Sequence, residues 1–223
     1  MMNKKASLIL LAVFLCISSP AQVTNIVSIV SPKLRQFLAD HSTASKSLSS
    51  AFSEAFPTRT VQIYYFYSDD ESVARASHYY PDKSVVGILI RENQQPCDEC
   101  LCLIFEVLNS EGEARFEQLA DQAKAWTISR ADFVKEIMRQ EFQAVKKTQA
   151  LMGNFKLSPK EITDSYYYNL FIKCPSDFED FLVYKKKGQV HRDQTKEYEQ
   201  LYNSLRQTPS RPTRTPESTS GMP

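Results

Sequence analysis

Apolar residues recur at helical spacing over most of the chain. The clearest exception is Val61 to Tyr67, where Val61, Ile63, Tyr65 and Tyr67 fall on one face and Tyr64 and Phe66 on the other. β-branched and aromatic side chains dominate this stretch, which predicts a strand. Ser84 to Ile90 predicts a second, and the loop between the two holds Asp69, Asp70, Glu71 and His78. Val23 to Val30 is a candidate third strand. Between that segment and the sheet, Pro32 to Asp40 and Thr43 to Phe56 have the spacing of two short amphipathic helices, the second ended by Pro57.

From Asp98 onward the pattern is helical almost throughout. Helices are expected over Glu99 to Asn109 and Glu113 to Trp126, then over a long segment capped by Ser129, with Asp132 in its first turn and Gly153 at its end. Ser158, Pro159 and Glu161 put Pro at the first helical position and Glu three residues after the cap, which starts a helix running from Pro159 to Ile172. Asp177 to Tyr184 and Thr195 to Leu205 are expected as shorter helices. Residues 206–223 are mostly Pro, Thr, Ser and Arg without apolar periodicity, and are expected as a disordered tail to a single domain over residues 22–205. The expected fold class is α+β: a mostly helical domain with a small antiparallel or mixed sheet within residues 61–90.

The start of the chain reads differently. Lys4 and Lys5 precede an apolar run from Ala6 to Ile17, and Ser19-Pro20-Ala21 offers small residues to a signal peptidase, so residues 1–21 are expected to be a signal peptide cut before Gln22. The run is shorter than the roughly 20 residues a membrane span needs, and no transmembrane segment is expected in the mature chain. Bulky Phe14 and Leu15 beside Cys16 argue against a lipidated cysteine. The expected location is secreted or periplasmic. With 27 basic and 26 acidic residues, the chain lacks the basic excess of a nucleic-acid-binding protein, and none is expected as partner. Hydrophobic residues make up 42%, enough for a core, while five glycines are few for the turns of an all-β fold.

Cys97, Cys100, Cys102 and Cys174 would belong to the exported chain, where an oxidising compartment makes them disulfide candidates, with three pairings open. Cys97 and Cys100 also form a CxxC at a helix start, as in thioredoxin-like redox proteins, although most later strands of that fold are missing. The CxxCxC run lacks the second knuckle of a zinc site. Cys102, in a helix apolar nearly all round, also fits as a small buried residue.

That helix has one narrow polar stripe. At about 100° per residue, Cys102, Glu106 and Asn109 fall within about 60° of one another, with Phe105 beside them, on an otherwise apolar rod. On the long helix, Glu141 falls in the middle of the face made by Val134, Ile137, Val145 and Met152. A carboxylate on an apolar stripe must be paired, protonated or placed at a cavity. Glu106 and Glu141 are either structural groups bonded to backbone donors, Arg or Lys, or they line one site between the two helices.

The segment Leu103-Ile104-Phe105-Glu106-Val107-Leu108-Asn109 resembles the active helix of zincin metallopeptidases, in which HExxH supplies two zinc ligands one turn apart and a glutamate base between them. Two upstream strands, this helix, and then a long helix bearing Glu141 where gluzincin-like proteins carry a third ligand are also similar to the zincin order, over roughly residues 60 to 150. Phe105 cannot bind a metal and Asn109 is a poor zinc ligand, so no metal or cofactor is expected. The resemblance implies a degenerate relative that keeps the scaffold and a cleft lined by Cys102, Phe105, Glu106, Asn109 and Glu141.

His41, His78 and His191 lie in no metal spacing and read as surface or core residues. Tyr64, Tyr65, Tyr67, Tyr79, Tyr80 and Tyr166 to Tyr168 make a tyrosine density suited to sheet packing or an interface. Lys185, Lys186 and Lys187 with His191 and Arg192 read as a solvated basic turn. The expected function is that of an exported, non-catalytic binding or interaction domain, with an unidentified protein or small ligand as partner. Two other classes compete: a hydrolase with Glu106 and Glu141 as its catalytic candidates, and a thiol redox protein using Cys97 and Cys100.

Overall fold

The computed structural model describes residues 11–12, 30–55, 60–68, 76–82, 85–186 and 194–207. The expected signal peptide apart from Leu11 and Ala12, the candidate strand Val23 to Val30 apart from Val30, the loop acids Asp69, Asp70 and Glu71, His191, and the tail beyond Gln207 lie outside the described residues.

Three strands form a mixed sheet: β1 (Thr60–Phe66), β2 (Ala76–Asp82) and β3 (Val85–Arg91). β3 is central, parallel to β1 from Thr60 opposite Val85 to Phe66 opposite Arg91, and antiparallel to β2. A two-residue strand, Leu11–Ala12, pairs antiparallel with Tyr65 and Tyr64 on the other edge of β1. β2 was not foreseen: the sequence reading puts His78 in a loop, whereas it lies in this edge strand. ASHYYPD has little apolar alternation and carries Pro81 at a register irregularity, features an edge strand tolerates and a sequence pattern does not reveal.

The register sorts side chains by face. Val61, Ile63 and Tyr65 align with Val86, Ile88 and Ile90, and these in turn with His78 and Ala76. Val86, Ile88 and Ile90 are fully buried on this face. On the opposite face Tyr79 lies across Gly87, its register partner, so closely that a Cβ at Gly87 would stand 2.3 Å from a ring carbon.

The helices are α1 (Pro32–Asp40), α2 (Ser42–Ala55), α3 (Pro96–Asn109), α4 (Glu113–Lys124), α5 (Arg130–Met152), α6 (Pro159–Asp164), α7 (Tyr166–Lys173), α8 (Phe178–Lys186) and α9 (Gln194–Gln207). The domain is therefore mostly helical and α+β, as its pattern predicts. α3 sits at the centre, packed by α1, α2, α5, α7 and the sheet, which accounts for its being apolar nearly all round. The expected single helix from Pro159 to Ile172 is broken at Ser165. This residue leaves helical geometry and caps α7, its Oγ accepting from the Tyr168 amide at 3.1 Å.

Candidate functional site

The first turn of α3 holds two buried acids, Asp98 and Glu99, where the positive end of the helix dipole favours them. Each reaches out to another element. Asp98 Oδ1 accepts from Ser165 Oγ (2.5 Å) and the Tyr167 amide (2.8 Å), and Oδ2 from the Tyr166 amide (3.2 Å), so one carboxylate caps the start of α7. Glu99 accepts from the Tyr65 hydroxyl of β1 at 2.6 Å and from Ser31 Oγ, the N-cap of α1, at 2.8 Å. The Ser31 amide closes the ring by donating to the Tyr65 oxygen at 2.8 Å. Burial raises Glu99 above the ordinary carboxyl range against the pull of these bonds.

Further along α3, on the polar stripe, Glu106 is buried and accepts a hydrogen bond from His78 Nδ1 of β2 at 2.7 Å. Two residues along β2, the Tyr80 hydroxyl donates to the Ser110 carbonyl at 2.7 Å, pinning the strand to the end of the helix. Glu141, 4% exposed on α5, is held from two sides. The Tyr198 hydroxyl of α9 donates to Oε1, and Lys185 Nζ of α8 donates to Oε2 at 3.2 Å and also to Gln194. Burial, then the charges of Glu141 and Glu106, push the Tyr198 hydroxyl well above its usual range, so both carboxylates act on one phenol.

The structure thus holds Glu141 on Tyr198 and Lys185, and Glu106 on His78. Lys185 is a correction: the expected solvated turn is, at this residue, part of a helix, with a side chain 11% exposed and paired to an acid. His78, Tyr198 and Lys185 were not legible as partners, because each lies on a different element from the acid it serves and no local spacing links them. The remaining residues of the expected cleft are otherwise engaged. Phe105 packs against Phe171 of α7 with ring centroids 5.7 Å apart, and Cys102 Sγ lies 3.6 Å from the Gln94 side-chain oxygen. Asn109 is half-buried at the end of the helix.

The donor set does not fit a zinc. Phe105 offers no ligand atom, Glu141 already faces an ammonium, and among the described residues no three His, Cys, Asp or Glu side chains are placed to hold a metal ion.

Cys97, Cys100, Cys102 and Cys174 are free and buried. Burial pushes the Cys97 thiol up to about 12 and the Cys174 thiol to about 11, and raises Cys100 well above its usual value, the opposite of the lowered value of a redox-active CxxC.

Among the described residues no helix is long and apolar enough to cross a membrane. Comparison with protein-family models, curated proteins and solved structures finds no match. What stands is the class the geometry defines: an α+β domain whose interior acids Asp98, Glu99, Glu106 and Glu141 are each answered by a named partner.

Proposed function

We propose that the chain is an exported, non-catalytic interaction domain on a degenerate zincin-like scaffold. The observation that carries this reading is the counter-ion of Glu141. At the position where the resemblance implies a third metal ligand, a tethered ammonium, Lys185, and a tyrosine hydroxyl engage the carboxylate. An acid balanced in this way needs no bound cation, and releasing it for chemistry would strand a buried charge. Glu106 is likewise engaged by His78, and Phe105 faces Phe171. A partner would then be recognised by the surface of the domain, not by this interior cluster.

The test starts from the full chain expressed in a secreting bacterial host, followed by intact mass, metal analysis and a casein-hydrolysis assay on the exported product. The expected result is a chain beginning at Gln22, without stoichiometric metal and without hydrolysis. Stoichiometric zinc, or hydrolysis lost in Glu106→Gln, would replace this reading with the hydrolase. Retention of residues 1–21 on the product would refute export.

A further inference from the structure

β1 turns one side to β3 along its whole length and the other to two residues, Leu11 and Ala12, which run antiparallel to it opposite Tyr65 and Tyr64. The Phe66 carbonyl accepts from the Glu92 amide at 2.8 Å, on the side of β3. Successive residues of a strand turn their amide and carbonyl to alternate sides, so Val61, Ile63 and Tyr65 turn theirs to the outer edge. Leu11–Ala12 lies within residues 1–21, the expected signal peptide. Cleavage before Gln22 takes this strand away, and among the described residues no other strand pairs with that edge.

The two edges of the sheet are built differently. An edge strand is a template for another chain, and edges that must stay single carry charge, proline or an irregularity. β2, at the far edge, has Asp82, Pro81 and a register shift between Tyr79 and Asp82. Thr60–Phe66 reads TVQIYYF, with no charged residue and no proline, and its pairing with β3 runs without a shift. A seven-residue segment of high β-propensity, without charge or proline, is the kind that pairs with copies of itself. Laid against itself, such a strand opposes no like charges. The direction fits as well. The strand seated on the edge is antiparallel, and a twofold axis relating two copies of one edge also sets them antiparallel.

We propose that in the exported chain the outer edge of β1 pairs antiparallel with the same edge of a second copy, joining two sheets into one across a twofold axis. This rests on the export reading, since cleavage is what opens the edge. One short strand a side makes a small interface, so the dimer is expected to dissociate on dilution. The test is sedimentation velocity of the exported product over a concentration series, with its first residue fixed by intact mass. The expected result is a chain beginning at Gln22 in monomer–dimer equilibrium, with the amides of Ile63 and Tyr65 exchanging with deuterium more slowly at high concentration than at low. Thr60→Lys with Gln62→Lys places lysines on both copies of the paired strand and is expected to weaken association about tenfold, with an unchanged far-UV circular dichroism spectrum. Thr60→Lys alone, at the first residue of β1, replaces the pair if that spectrum is lost. A cleaved chain that stays monomeric across the series would overturn the proposal and leave export standing. A dimer unmoved by the lysines would overturn it too, since the copies would then meet elsewhere. A product retaining residues 1–21 would overturn export and the dimer together.

Discussion

Lys185 and Glu141 have side chains only 11% and 5% exposed, so their ion pair sits largely out of water. Breaking such a pair from one side typically costs about 3–5 kcal/mol, because the surviving charge is left buried. Lys185→Met is therefore expected to lower the unfolding free energy by that order, and adding Glu141→Gln to recover much of it. A double-mutant cycle in denaturant reads the coupling, and simple additivity would show that the two side chains do not depend on each other. Glu99 makes a prediction of opposite character. Its folded-state value is raised above the ordinary 4.5, mainly by burial, so the neutral carboxyl favours the fold. That contribution is complete below the ordinary value and is lost as pH rises through the folded one. Glu99→Gln should accordingly remove a decline in stability that sets in as pH rises above about 4.5, visible when denaturant midpoints of both chains are compared over a pH series. Parallel profiles would contradict it. At this scale the sequence marks which acids are unusual, because Glu106 and Glu141 sit on apolar stripes. It does not mark their partners, since His78 and Tyr198 are separated from them by 28 and 57 positions.

Elements with their own capping chemistry were legible. Ser129 starts α5, and Ser158 with Glu161 forms a capping box at α6. What broke the expected helix after Pro159 is tertiary: Asp98, from a different helix, takes the Ser165 hydroxyl and two amides of α7. Asp98→Ala leaves these donors without their acceptor in a buried place and should cost about 2 kcal/mol in denaturant unfolding. Asp98→Asn, which keeps one acceptor oxygen, should cost less. Equal stability of the alanine variant would mean that α7 does not need this cap. β2 was missed for the complementary reason. Its residues have little strand pattern of their own, and they pair because β3 is there and because His78 and Tyr80 bond to α3 and its end.

For the molecule as a whole, the four described cysteines separate two pictures. An oxidising compartment suggests stapling, while the structure holds them as buried thiols. With Cys174 raised to about 11 and Cys97 to about 12, at most about one thiol in a thousand at either position would be ionised at pH 8. Native alkylation at that pH should be slow, and denaturant without reductant should release four thiols from a chain beginning at Gln22, both counted by mass. Fewer than four would establish a staple, and rapid native labelling would restore the redox reading. The extent of the helical pattern, the strength of β1 and β3, the sequence-local caps and the lack of a ligand atom at Phe105 follow from the chain alone, because each rests on neighbours within a turn or on which atoms a side chain owns. The role of α3 as the central rod, the strand made of ASHYYPD, the helix broken at Ser165 and the answering of Glu141 by Lys185 were decided only by the tertiary structure. Burial makes an unpaired charge or amide expensive, and the group that relieves it is chosen by proximity in space, which sequence spacing does not record.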